Sequence, residues 1–153
     1  MDKVEINNYE DLLNVLDRIN ESIDWNNFYE KRVIKAPFLV NNILPDKMIT
    51  EFVKGHSIMD AVEFGCGEGR NAIFLAKSGI DVTAIDSSDI AIRNAKAKTE
   101  DLKNVTLICS DFLAVDFADR KYDLVLDSGM FHHLAPHRRL QYRELLKGLL
   151  KEN

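Results

Sequence analysis

Apolar residues recur along this chain in two rhythms. Near the N-terminus they follow helical spacing. Leu12, Leu13, Leu16 and Ile19 predict an amphipathic helix over residues 8–20, with Asn8 as its cap and Glu10 and Asp11 in its first turn. A second short helix is predicted from about Trp25 to Val33, capped by Asp24, with Trp25, Phe28 and Tyr29 on one face. Ala36-Pro37 should end it, and residues 38–44 read as an extended connector. Pro45 fits the first position of a third helix that reaches Lys54, with Gly55 beyond it and with Phe52 and Val53 packing toward the first strand.

From Ile58 onward the rhythm changes. Ile58 to Phe64, Asp81 to Ile85, Val105 to Cys109 and Tyr122 to Asp127 are short apolar runs of the kind found in buried parallel strands. Helical segments alternate with them. Arg70 to Ser78 is closed by Gly79, and Ile90 to about Glu100 is opened by the cap cluster Ser87-Ser88-Asp89. Residues 113–121 read as a charged loop or single turn. The last helix is predicted from about Pro136 to Lys151, striped by Tyr142, Leu145, Leu146, Leu149 and Leu150, with Arg139, Arg143, Lys147 and Lys151 on a solvated basic face. Strands alternating with helices predict an α/β fold around a parallel sheet.

The chemistry gathers where the first strand ends. Gly65, Gly67 and Gly69 follow Phe64 at alternate positions and allow a sharp turn that a ligand can approach closely. Asp86 ends the second strand, where an acid commonly meets a ribose diol. Acids at 63, 86, 111 and 127 put carboxylates along one edge of the sheet, and ligands bind outside the carboxyl ends of such strands.

Glu63-Phe-Gly65-Cys-Gly67-Glu-Gly69 matches E/D-x-G-x-G-x-G, and here the chain resembles the class I S-adenosylmethionine-dependent methyltransferases. The dinucleotide pattern G-x-G-x-x-G, which would favour an NAD-dependent oxidoreductase, is not met. The resemblance implies a Rossmann-like three-layer sandwich with strand order 3-2-1-4, S-adenosyl-L-methionine as cofactor and S-adenosyl-L-homocysteine as product. It implies a cofactor site drawn from Glu63, Gly65, Cys66, Gly67, Gly69, Arg70, Asn71, Asp86, Ser87, Asp127 and Ser128. Asp111 would reach the adenine amino group and the Phe112 amide a ring nitrogen; a helix or turn cap is the lesser alternative for Asp111. Trp25 and Tyr29 match the N-terminal aromatic lid of several small relatives, although core packing accounts for them as well. The division that follows is a helical cap over residues 1–55 and a cofactor-binding region over residues 56–153, together forming one domain.

Asp127-Ser-Gly-x-Phe-His-His-Leu-x-Pro-His-Arg-Arg resembles small bacterial methyltransferases related to the thiopurine and tellurite-resistance types. The D/N-P-P-Y/F signature of enzymes that methylate nucleic-acid bases is missing there. A small-molecule acceptor follows, with His132 or His133 as a candidate general base, since histidine titrates near neutral pH. Satisfaction by backbone groups at a helix start accounts for these histidines equally well. His132, His133 and His137 raise a metal site, but Pro136 as a first helical residue would set His133 and His137 astride the helix start, so no metal is expected.

Composition narrows the picture further. Hydrophobic residues make up 46% of the 153 and charged residues 29%, with a net charge of −5, which suits a globular domain and gives no basic footprint for nucleic acid. Two distant cysteines, Cys66 and Cys109, make no disulfide framework, and Cys66 reads as a small residue in the turn more than as a catalytic thiol. The start Met-Asp-Lys-Val-Glu is no signal peptide and no apolar run spans a membrane, so a cytoplasmic protein without membrane contact is expected. Only four of the family's seven strands are accounted for, and a cofactor-binding truncated module without turnover is the alternative reading. Strand four would then lie open as an apolar edge, and self-association through it and the last helix is expected.

Overall fold

The computed structural model describes residues 5–19, 23–31, 45 and 47–152. The expected helix stop at Ala36-Pro37 and the connector over residues 38–44 lie outside the described residues. Three helices come first: α1 (Tyr9–Ile19), α2 (Trp25–Lys31) and α3 (Lys47–Gly55). Then follow β1 (Asp60–Phe64), α4 (Arg70–Lys77), β2 (Asp81–Asp86), α5 (Asp89–Lys98), β3 (Val105–Cys109), β4 (Leu124–Asp127) and α6 (Arg139–Leu149). The sheet is parallel throughout, in the order β3-β2-β1-β4. Registers such as Phe64 with Ile85 and Phe64 with Asp127 align the strand ends.

The helix starts follow capping chemistry. Asn8 Oδ1 accepts the Asp11 N–H at 2.9 Å while the Asp11 carboxylate accepts the Asn8 N–H at 3.2 Å, a reciprocal cap. Asp24 caps α2 through the Asn27 N–H, and Ser88 caps α5 through the Ala91 N–H. Gly79 follows α4 in the left-handed region, φ +85°, where a helix commonly terminates.

Side-chain alternation then divides the core. Ala61, Val82, Ala84 and Leu126 face Ala72, Leu75, Ile80, Ile92 and Ile49 on one side of the sheet. Val62, Phe64 and Ile85 face Phe112, Tyr122, Tyr142 and Leu149 on the other. Helices thus cover both faces, as an all-parallel sheet requires.

Several boundaries differ from the sequence reading. β1 begins at Asp60: Met59 is exposed, and the Asp123 carboxylate accepts its N–H at 2.8 Å. α3 begins at Lys47, not Pro45, and Phe52 points outward to stack on His56 while Val53 packs on the core. The last helix is split, because a tight 3-10 turn over Pro136–Arg138 precedes α6. α6 also stops earlier than Lys151. Leu149 O accepts the Tyr122 N–H and the Lys151 N–H donates to Tyr122 O, so Leu150 bridges to Tyr122 in parallel. The chain therefore turns back beside the entry to β4, and that end of the expected open edge is paired. No described helix is long and apolar enough to cross a membrane.

Candidate functional site

The glycine turn after β1 needs all three of its glycines. Gly65, Gly67 and Gly69 have φ of +66°, +54° and +83°, a region that side-chain-bearing residues rarely adopt. A Cβ on Gly65 would stand 2.8 Å from Met130 Cβ, and one on Gly67 would stand 2.7 Å from Tyr29 Oη. One on Gly69 would stand 3.3 Å from Ala95 Cβ. The first glycine thus admits the segment after β4, the second admits the N-terminal cap, and the third lets α4 start against α5.

Beneath the turn lies Glu63, buried on the α4 side of the sheet. Asn71 Nδ2 donates to Glu63 Oε1 at 2.8 Å. Glu63 Oε2 and Asn71 Oδ1 are buried with no hydrogen-bond partner. Burial pushes the Glu63 carboxyl up to about 8; the Asn71 hydrogen bond, the Arg70 charge and the Ala72 amide oppose this only in part. Two buried polar atoms without a partner ask for a ligand group, and an incoming cation would favour the ionised form of Glu63.

Asp86 closes the other side. Its Oδ2 accepts the Gly67 N–H at 2.8 Å and its Oδ1 the Ser88 N–H at 2.9 Å, so it ties the turn to the end of β2. Burial raises its pKa against these two bonds. Each carboxylate oxygen keeps a further lone pair for a ligand. Ser87 beside it is exposed. Cys66 is buried in the turn, where burial pushes its thiol up, which disfavours a reactive thiolate. The Ser110 N–H donates to Asp86 O at 3.0 Å and brings the end of β3 alongside. There Asp111, itself exposed, caps a 3-10 turn by accepting the Leu113 N–H, and Phe112 is buried in a stack on Phe64 with centroids 4.6 Å apart.

Asp127 anchors the segment that follows β4. Its Oδ1 accepts the N–H groups of Gly129, Met130 and Phe131, and its Oδ2 accepts the Tyr142 hydroxyl at 3.0 Å. The sequence predicts Asp127 as a ligand-facing acid; in the structure its carboxylate is engaged by three N–H groups of its own loop and by the Tyr142 hydroxyl of α6. Ser128 is exposed at the same turn. Next come His132 and His133, with ring centroids 4.1 Å apart. Trp25 meets His133 edge-on, centroids 4.9 Å apart, so α2 reaches the segment after β4 directly. Burial, then the neighbouring His132, hold the His133 pKa below its ordinary value.

Tyr29 completes the cover. It is buried, and burial followed by the Asp86 charge raises its pKa. Asn26 fastens α2 by accepting the Ser88 hydroxyl at 2.7 Å. Asn26, Met130 and Tyr142 escaped the sequence reading. Asn26 and Met130 belong to no motif, whereas a tyrosine on the buried stripe of α6 was legible as core and only its hydroxyl was overlooked. His137, grouped with His132 and His133 by sequence, turns away to Asp17 of α1 at 2.6 Å. Among the described residues no three His, Cys, Asp or Glu side chains are grouped to hold a metal ion.

Comparison with known proteins gives this arrangement a family. Residues 61–153 match the model of a methyltransferase domain. The 2-heptyl-1-hydroxyquinolin-4(1H)-one methyltransferase of Mycobacteroides abscessus is 28% identical over 118 residues, 75% of this chain and 51% of that protein. The probable S-adenosyl-L-methionine-dependent methyltransferase TehB of Haemophilus influenzae is 32% identical over 79 residues, 50% of this chain and 27% of that protein. The chain thus spans about half the length, or less, of these curated relatives. Among solved structures, the one described as "Conversion of a Disulfide Bond into a Thioacetal Group during Echinomycin Biosynthesis" superposes with a TM-score of 0.69 at 25% identity, covering 83% of this chain and 54% of the other. Haemophilus influenzae TehB superposes with a TM-score of 0.66 at 21% identity, covering 82% of this chain and 42% of the other, which concerns the fold alone. With strand order, glycine turn and family model in agreement, the chain belongs to the methyltransferase domain family.

Proposed function

We propose that this chain binds S-adenosyl-L-methionine at the carboxyl edge of its sheet and directs methyl transfer to a small-molecule acceptor. The observation that carries the reading is the pair of buried, unpartnered acceptors, Glu63 Oε2 and Asn71 Oδ1, under a turn of three left-handed glycines. They suit the ammonium of the cofactor's amino-acid end. Gly65, Cys66, Gly67, Gly69 and Arg70 line that end, Asp86 and Ser87 take the ribose diol, and Asp111 with the Phe112 amide takes the adenine. Tyr29 and Trp25 cover the site, and Asp127 and Ser128 shape its acceptor side.

When bound, the cofactor supplies a methyl group on a sulfonium that is its own leaving group. The protein's part is alignment and exclusion of water, worth up to about 7–11 kcal/mol in well-oriented cases. His133, its proton affinity lowered by burial, stays neutral at pH 7 and is the better placed of the two histidines to take a proton from an acceptor hydroxyl or thiol as the new bond to carbon forms. The neighbouring His132 ring, tilted against it at 4.1 Å, also disfavours its protonation. Phe131, His132, His133 and Trp25 gather aromatic rings on the proposed acceptor side. A planar hydroxylated heteroaromatic acceptor fits them, in keeping with the name of the Mycobacteroides abscessus relative.

Calorimetric titration with S-adenosylhomocysteine, with NAD as control, tests the cofactor. Binding near the micromolar range, about −8 kcal/mol, is expected for the former alone. Labelled-methyl transfer to a panel of hydroxyquinolines and thiols then separates an enzyme from a binding module. A folded chain that binds neither ligand would overturn the reading.

A further inference from the structure

Arg138 is the most fully satisfied cation among the described residues, and it does not lie in the cofactor site. Its Nε donates to Asp17 Oδ2 at 2.9 Å. Its Nη1 donates to Glu10 Oε1 at 2.8 Å and Gln141 Oε1 at 2.7 Å. Its Nη2 donates to Asn14 Oδ1 at 3.0 Å and again to Asp17 Oδ2. All five donors of the guanidinium fork are engaged. Its side chain is only 12% exposed. His137 takes the other oxygen of Asp17, and Gln141 Nε2 donates to Glu10 Oε2 at 2.9 Å. Three successive turns of α1, through Glu10, Asn14 and Asp17, are therefore gripped by residues 137–141.

The placement of this grip gives it a role. The segment after β4 is fixed at its start by Asp127 and at its end by Arg138. Between them stand Phe131, His132 and His133, and His133 meets Trp25 of α2, the helix that follows α1. We propose that Asp17 and Arg138 are positioning residues: their clasp holds α1 to the end of the acceptor segment and so sets Trp25 against His133. The role in turnover rests on the methyltransferase reading above; the clasp itself does not. A guanidinium fork with all five donors placed, two of them converging on Asp17 Oδ2, is geometrically strict, so charge alone does not replace it.

Trp25 is the sole tryptophan of the chain and reports on the clasp without any ligand. Asp17→Asn and Arg138→Lys are compared with the unmodified chain and with Arg93→Ala, which removes an exposed pair with Asp89 on α5. Trp25 emission in Asp17→Asn and Arg138→Lys is expected to move to longer wavelength, with greater quenching by acrylamide. Far-ultraviolet circular dichroism should stay the same, and Arg93→Ala should match the unmodified chain. Glu10→Ala, an exposed partner whose loss is mild, is expected to give a smaller shift in the same direction and serves if the stronger variants fail to fold. Unchanged Trp25 emission in the folded variants would overturn the clasp.

In turnover, kcat of Asp17→Asn should fall roughly tenfold to a hundredfold, as misplacement of a reacting pair does, while S-adenosylhomocysteine affinity stays within a few-fold. An equal loss in both would mean that Asp17 serves general stability only and would overturn the positioning role. If the unmodified chain binds no S-adenosylhomocysteine, the methyltransferase reading fails and the fluorescence result still decides the clasp.

Discussion

A single methyl group at Gly67 tests how α2 sits on the glycine turn. Gly67→Ala carries two separable costs. Its φ of +54° is left-handed, which costs a residue with a side chain about 1–2 kcal/mol. The new Cβ would also stand 2.7 Å from Tyr29 Oη, a distance real Cβ atoms essentially never show. Relieving it means moving a buried tyrosine, an overpacking cost of about 1–3 kcal/mol. Without the hydroxyl, the nearest atom of the ring is Cζ at 3.7 Å, an ordinary contact. In a Tyr29→Phe background Gly67→Ala should therefore cost only the backbone term.

Urea denaturation of the four chains of this double-mutant cycle gives the coupling directly. Gly67→Ala should destabilise the unmodified chain by about 2–5 kcal/mol and the Tyr29→Phe chain by about 1–2 kcal/mol. The difference, about 1–3 kcal/mol, is the steric term alone. Equal costs in the two backgrounds, within about 0.5 kcal/mol, would refute the seating of Tyr29 over the glycine turn.

Three further outcomes follow from the same geometry. The Glu63 carboxyl is held up at about 8 against 4.5 for a free one, so the folded chain keeps a proton that the unfolded chain releases between those values. Stability should therefore fall as pH rises through that window, by up to about 1.4 kcal/mol per unit from this group, and Glu63→Gln should remove this part of the slope; a slope unchanged in the variant would contradict the buried, protonated Glu63. His133→Ala should lower kcat by roughly a hundredfold with S-adenosylhomocysteine affinity unchanged, and an unaltered kcat would remove His133 as the base. Among the described residues β4 is an edge strand with its entry covered by Leu150, so a concentration-dependent dimer is expected in sedimentation; a monomer throughout the micromolar range would exclude pairing there.

How much of this could be seen in the sequence depended on how local the cause was. Val105–Cys109 became a strand with the boundaries its apolar run implies, and Asn8, Asp24 and Ser88 cap the helices they precede, because capping is decided within four residues. The glycine turn was equally legible, since three left-handed residues in five leave few alternatives to glycine. What sequence could not supply was the far partner. Asp127 looked like one more strand-ending acid, yet which way its carboxylate turns is settled by the N–H groups of Gly129, Met130 and Phe131 and by a tyrosine fifteen positions away. His137 looked like a third member of a histidine cluster, yet Asp17, 120 positions earlier, claims it. The same distinction separates the two halves of the site. The proposed cofactor side is centred on a contiguous motif, Glu63 to Asn71, whose left-handed glycines are a local requirement. The acceptor side is assembled from α1, α2 and the segment after β4, three pieces that meet only in the folded chain. On the proposed reading, acceptor choice would depend on contacts such as Trp25 with His133 and Arg138 with Asp17, and substitutions there should change which acceptor is used while leaving S-adenosylhomocysteine affinity intact.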